Sequence, residues 1–259
     1  MSLPHFFLDE QLLAQQNDEE FTLELSPDDK KHARVLRLAP GEHIAVVDAG
    51  ADYFECQVVN SQPDIVVRIS QRGGDFAPVP QVCLVQGVSK GDKMDEVIRH
   101  ATELGVHSFA PLLCERSVVK LDKQKTANRM NRWRTIAKSA AMQSGRNSIP
   151  VIFEPKDAKT ISDMLAHFDC VAICWEDERT CSIQQALDDA ALKTGKDRTD
   201  LRVAVVVGPE GGFAKHEIDR FRSSNENAFT VSLGPCILRT ETAGVVAPAL
   251  VIYELGGLR

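Results

Sequence analysis

From about residue 82 onward, short uninterrupted apolar runs alternate with stretches in which apolar residues recur every three or four positions. The runs read as strands buried on both faces, and the stretches between them as amphipathic helices. Strands are predicted at 82–87, 107–113, 150–153, 170–175, 201–207 and 229–233. The clearest helix follows the first of these: Met94, Val97, Ile98, Ala101 and Leu104 form one stripe, closed by Gly105. A long helix then carries Met130, Trp133, Ala137 and Ala140 on one face and ends near Gly145. Further helices are predicted near 160–168, 182–193 and 214–224, with 194–200 as a mobile surface loop. This alternation indicates an α/β fold with a parallel sheet. The last segment, 243–255, is apolar nearly all round, so it is either deeply buried or lies at a subunit interface.

The first 70 residues have a different rhythm. Phe21 to Leu25 alternates like a half-buried strand. Ser26-Pro27-Asp28-Asp29 is a helix start, with a capping Ser, Pro at the first helical position and acids in the first turn. That helix is expected to run to about Leu38, before Pro40-Gly41. Strands at 43–48, 53–59 and 65–70 follow, with a turn cluster at 48–52. Several short strands with one helix suggest a compact β-barrel. The stretches 72–75 and 78–80, rich in Gly and Pro, are the best linker, which places a small domain at 1–73 and a larger one at 74–259.

Composition narrows the class. The chain has 259 residues and is 43% hydrophobic, enough for a substantial core. It has no apolar run long enough to span a membrane and no basic or apolar leader at its start. Seven scattered cysteines without a C-x-x-C pair read as reduced residues of a cytoplasmic protein, with no metal site. The net charge is −7, which by itself does not point to nucleic acid. Its distribution is uneven. Residues 1–72 hold 6 Lys and Arg against 13 Asp and Glu, whereas 83–146 hold 12 against 6. The basic stretch suits either a solvated helical face or an RNA-facing surface. Lys30, Arg34 and Arg37, spaced i, i+4, i+7 on the first helix, allow the same two readings.

The candidate chemistry lies in two Gly/Pro turns, each after a strand. One is Gly208-Pro209-Glu210-Gly211-Gly212-Phe213; the other runs from Ser232 to Ala243 and contains Leu233-Gly234-Pro235-Cys236-Ile237-Leu238-Arg239-Thr240-Glu241. At neighbouring strand ends they would build one pocket at the carboxyl edge of the sheet, where α/β proteins bind ligands. Neither the dinucleotide fingerprint nor the P-loop pattern is present. Together, the two turns resemble those of the RsmE family of ribosomal RNA uracil-N3 methyltransferases, in the SPOUT superfamily. The resemblance extends to residues 32–37 (HARVLR), 90–95 (KGDKMD), 101–106 (ATELGV), 115–117 (ERS) and 143–146 (QSGR).

The resemblance implies a PUA-like RNA-binding domain, then a SPOUT domain with a C-terminal trefoil knot that dimerises across its cofactor site. It implies S-adenosylmethionine as cofactor, held largely by backbone at Gly208, Pro209, Glu210, Gly211, Gly212, Leu233, Gly234, Ile237, Leu238, Arg239 and Thr240. The substrate would be one uridine of 16S rRNA, within an assembled small ribosomal subunit. His32, Arg34, Arg37, Lys90, Lys93, Arg116 and Arg146 are the expected RNA contacts, with Arg116 and Arg146 near the same edge. Arg239 is the expected catalytic residue. A guanidinium is a poor proton acceptor, so its role would be to stabilise a uracil anion or to grip a phosphate. Its alternative role is a salt bridge to Glu241 or to an acid of a partner subunit. No side chain stands out as the general base.

The chain also departs from the family pattern. Cys236 replaces the usual Arg of LGPRILR. Ala214 stands where Ser or Thr usually caps a helix, Thr240 or Thr242 is a candidate cap for the last one, and Pro248 should start or kink that helix. Arg99-His100 replaces a more neutral pair. Two other readings compete: an RNA-binding SPOUT relative without catalysis, hinted at by Cys236, and an unrelated α/β nucleotide enzyme.

Overall fold

The structure is a computed structural model that describes residues 3–74, 79–117 and 122–258. It forms two compact units: 1–77 together with 141–149, and 78–140 together with 150–259. Of the linker expected from the sequence, 75–78 lie outside the described residues.

The first unit is a mixed five-stranded sheet with one helix. Its strands are β1 (His5–Phe7), β2 (Phe21–Thr22), β3 (His43–Val47), β4 (Tyr53–Asn60) and β5 (Val66–Arg72), in the order β1-β3-β4-β5-β2. β4 alternates buried and part-buried positions, so Phe54, Cys56 and Val58 meet Phe6, Leu23, Ile44 and Val67 in one core. Helix α1 (Pro27–Leu36) starts as expected: Ser26 Oγ accepts the Asp29 amide at 3.2 Å. It stops short of Leu38 because Arg37 turns into the left-handed region at φ 53°. The turn at 48–52 is organised by buried Asp48, whose carboxylate accepts the amides of Leu13, Gly50 and Asp52.

The second unit is a parallel sheet with helices. Its strands are β6 (Val82–Gly87), β7 (Ser108–Leu113), β8 (Val151–Ile152), β9 (Lys156–Asp157), β10 (Cys170–Cys174), β11 (Val203–Val207) and β12 (Ala228–Val231). The order is β12-β10-β11-β6-β7-β8, with β9 also on β7, and every pairing is parallel. β6 and β11 are buried at every residue, which explains their uninterrupted apolar sequences. The helices are α2 (Lys93–Glu103), α3 (Lys123–Gln143), α4 (Ala158–Leu165), α5 (Ile183–Thr194), α6 (Lys215–Ser223) and α7 (Thr240–Glu254). Met130, Trp133, Ala137 and Ala140 of α3 are all buried, as the periodicity predicts.

Three expectations change. Helix α7 runs unbroken through Pro248. Proline lacks the N–H that would donate to the Gly244 carbonyl, and one lost bond is tolerated in a helix packed on β6, β11 and α2. Thr240 and Thr242 do not cap α7, because Arg239 occupies that position without a side-chain cap. The stretch 194–200 is tied down: Arg198 pairs with Asp188 and Glu254, and Lys196 with Asp169.

His5 is 4% exposed, lies beside the rings of Phe7 and Tyr53, and has no hydrogen-bond partner for Nε2 among the described residues. Burial pulls its pKa down to about 4. A depressed pKa means that the unfolded chain binds the proton first. Stability present above pH 6.5 is therefore lost as the pH falls towards 4. Denaturant unfolding at pH 7 and pH 5 is expected to differ by about 2 kcal/mol more in the wild type than in His5→Phe. Equal pH dependence in the two proteins would refute the assignment.

Candidate active site

The two Gly/Pro turns do meet, but not at neighbouring strands. Gly208 to Ala214 follows β11 and Ser232 to Arg239 follows β12, and β10 lies between them in the sheet. Because all three strands are parallel, their carboxyl ends share one edge, and the loops enclose a cavity of about 480 Å³. Gly208, Pro209, Glu210, Gly212, Leu233, Gly234, Ile237, Leu238, Arg239 and Thr240 line it. Gly211 does not; it backs onto Arg116, which donates to the Gly211 carbonyl at 3.4 Å.

The interposed strand supplies residues that sequence reasoning missed. Cys174, Trp175, Glu176 and Arg179 also line the cavity. The signal was available as an acidic, aromatic turn directly after an apolar strand. The turn is shaped by Glu178, whose carboxylate accepts the Thr230 and Thr180 hydroxyls and the amides of Arg179, Thr180 and Cys181. Those donors, that of Thr230 foremost, pull its pKa down to about 2.

Close backbone approach holds the first loop in place. A Cβ on Gly87, at the end of β6, would meet Pro209 N at 2.4 Å and the Gly208 carbonyl carbon at 2.8 Å. Gly212 has φ +64°, and a Cβ there would meet Glu176 Oε1 at 2.9 Å. A buried relay ties the same loop to α7. Gln86 Nε2 donates to Thr240 Oγ1 at 2.9 Å, and Thr240 Oγ1 donates to the Gly208 carbonyl at 2.6 Å. Glu217 accepts the Ala214 amide at 2.8 Å, so α6 keeps the acidic half of a capping box despite Ala214.

The charged candidates separate. Arg239 is exposed at the cavity, and its side chain makes no ion pair or hydrogen bond within the described residues, so the alternative of a bridge to Glu241 is not formed. Glu241 pairs instead with Lys93, which also pairs with Glu210, and the Lys90 amide donates to Glu210. Arg116 belongs to the second unit. Arg146 belongs to the first, which includes residues 141–149. Burial lowers the pKa of Arg146 to about 10. His32, Arg34 and Arg37 are exposed on or just beyond α1. Lys30, Arg34 and Arg37 border one groove, where Lys30 pairs with Asp64.

Residues 77–252 match the model of the RNA methyltransferase domain. Over 254 residues the chain is 30% identical to ribosomal RNA small subunit methyltransferase E of Bacillus subtilis strain 168, covering 96% of each protein. The chain belongs to the ribosomal RNA small subunit methyltransferase E family. Solved structures agree. The methyltransferase E of Neisseria gonorrhoeae, bound to S-adenosylmethionine, superposes with a TM-score of 0.78 at 27% identity, covering 96% of both chains. A methyltransferase of Legionella pneumophila, also in complex with S-adenosylmethionine, gives 0.78 at 27% identity and 97% of both.

Within this family pattern, Cys236 is the departure that touches the cavity. It is an exposed lining residue, so the resemblance-based loss of an Arg there means a neutral side chain at the rim in place of a cation. Gly87→Ala tests the close packing beneath the site. The obstructing atoms are backbone and cannot rotate away, so the substitution is expected to cost about 1–3 kcal/mol in denaturant unfolding. An unchanged midpoint would mean that the loop yields freely.

Proposed function

We propose that this chain is an S-adenosylmethionine-dependent methyltransferase that methylates N3 of one uridine in 16S rRNA of the small ribosomal subunit. The observation that carries this reading is the cavity at the ends of β11, β10 and β12, with an unpaired arginine at its rim. The residues fit the cofactor. Gly208 and Gly212 present main chain to the cavity, Leu233, Ile237 and Leu238 offer apolar surface, and Glu176 and Glu210 offer carboxylates. The cofactor-binding residues expected from the sequence, apart from Gly211, line that cavity.

When bound, S-adenosylmethionine supplies a methyl group that is already electrophilic on a sulfonium. The remaining task of the protein is positioning and charge. Uracil N3–H is a weak acid, so attack needs the base held in line and its developing anion stabilised. Arg239 stays protonated and lines the cavity with no ion pair or side-chain hydrogen bond among the described residues, so it serves as the electrostatic stabiliser. Glu176 and Glu210 are carboxylates within the same cavity, and Glu210 is already engaged by Lys93.

The same reading assigns 1–73 as a PUA-like RNA-binding domain and 74–259 as a SPOUT domain with a C-terminal trefoil knot. His32, Arg34, Arg37, Lys90, Arg116 and Arg146 are RNA contacts in it. The substrate is an assembled small subunit, since an acidic protein needs shape as well as charge to hold RNA. The reading includes a cytoplasmic homodimer; what supports the dimer is α7, where Leu250 and Tyr253 are exposed on the face that also carries Val246.

The test is transfer of labelled methyl to small subunits that lack the modification. Label is expected as N3-methyluridine. Arg239→Ala is expected to lower kcat roughly 10²- to 10³-fold. Cofactor binding with no transfer to any RNA would favour the non-catalytic RNA-binding alternative.

A further inference from the structure

Lys93 opens α2 at the cavity, and its ammonium lies 3.2 Å from a carboxylate oxygen of Glu210 and 3.2 Å from one of Glu241. Glu210 belongs to the loop after β11, and Glu241 to the first turn of α7, directly after the loop from β12. Glu210 is held a second time by the Lys90 amide at 3.2 Å. The three side chains are partly shielded, at 34%, 31% and 19% exposure. Glu241, and after it Glu210, favour the charged ammonium, so Lys93 titrates above the ordinary lysine range. To reach a phosphate, this ammonium would have to abandon two carboxylates, which would then repel each other across the loops.

We infer that Lys93 is a positioning residue: it clamps the two loops that wall the cavity and sets how tightly the cavity holds its cofactor, and it is not an RNA contact. The inference rests on reading the cavity as the S-adenosylmethionine site. The sign of the effect is diagnostic. Removing a cation beside a pocket for a cationic ligand should tighten binding by simple electrostatics. A weakening therefore reports the loop geometry that the lysine maintains.

The experiment is calorimetric titration of S-adenosylmethionine into the full chain for wild type, Lys93→Met, Lys93→Arg, Glu241→Gln and the double variant Lys93→Met/Glu241→Gln. The ligand-free thermal midpoint and the KM for small subunits are measured alongside. Lys93→Met is expected to raise Kd roughly three- to tenfold, with little change in the ligand-free midpoint. Lys93→Arg should restore most of the affinity. Glu241→Gln should weaken binding comparably, and the double variant should be no worse than Lys93→Met, because both substitutions break one clamp. Unchanged or tighter cofactor binding by Lys93→Met overturns the inference. If the KM for subunits then rises and its salt dependence becomes shallower, Lys93 is an RNA contact after all. A lowered midpoint with unchanged affinity makes it merely structural. Failure of the wild type to bind S-adenosylmethionine would defeat the functional reading itself, before any variant is compared.

Discussion

The buried relay from Gln86 through Thr240 to the Gly208 carbonyl is the constraint on which the site depends. It joins a central strand, the first residue of the last helix and the loop that begins the cavity. Gln86 is fully buried, and Gly244 leaves the space for its Oε1, where a Cβ would lie 2.4 Å away. The relay satisfies the amide Nε2 and the Thr240 hydroxyl, while Oε1 has no hydrogen-bond partner among the described residues; breaking the relay would leave further buried polar groups unmatched, which favours this register of α7 against β6. Once α7 is placed, Arg239 and Glu241 are placed with it.

A parallel sheet supplies the rest of the geometry. Three parallel strands deliver three loops to one edge, so backbone from distant parts of the sequence converges without any long side chain reaching across. Glycine and proline dominate the two loops, and the charged residues of the cavity come from several elements: Lys93 from α2, Glu176 and Arg179 from the turn after β10, Glu210 and Arg239 from the two loops. The charges that do appear are divided in purpose. Lys93, Glu210 and Glu241 neutralise one another, whereas Arg239 is left facing the cavity. An unpaired guanidinium at a ligand site is available for chemistry in a way that a paired one is not.

The acidic balance of the chain fits this division. Residues 1–72 carry a net charge of −7, equal to that of the whole chain, yet Arg34 and Arg37 remain exposed together beside one groove. The basic stretch 83–146 is partly consumed internally: Lys93 is paired with two carboxylates, and Arg132 with Asp92 and Asp95. Counting basic residues along the sequence therefore overstates the charge available to RNA.

The sequence by itself determined the α/β class, the position of nearly every strand and helix in the second unit, and the two loops of the site. It could do so because buried parallel strands require continuous apolar runs, helices require a 3.6-residue period, and close backbone approach requires glycine. Each of these is a local demand. Only the tertiary structure decided that β10 lies between β11 and β12, which brought Trp175, Glu176 and Arg179 to the cavity, since strand order in space is not strand order in sequence. The same holds for Lys93, which looked like a free basic residue until two distant glutamates were folded against it. Thr240 resembled a helix cap but became a relay because Gln86 and Gly208 surround it. Pro248 resembled a break but is carried by the packing of its helix. Pairings between residues far apart in the chain depend on topology, and no local pattern records them.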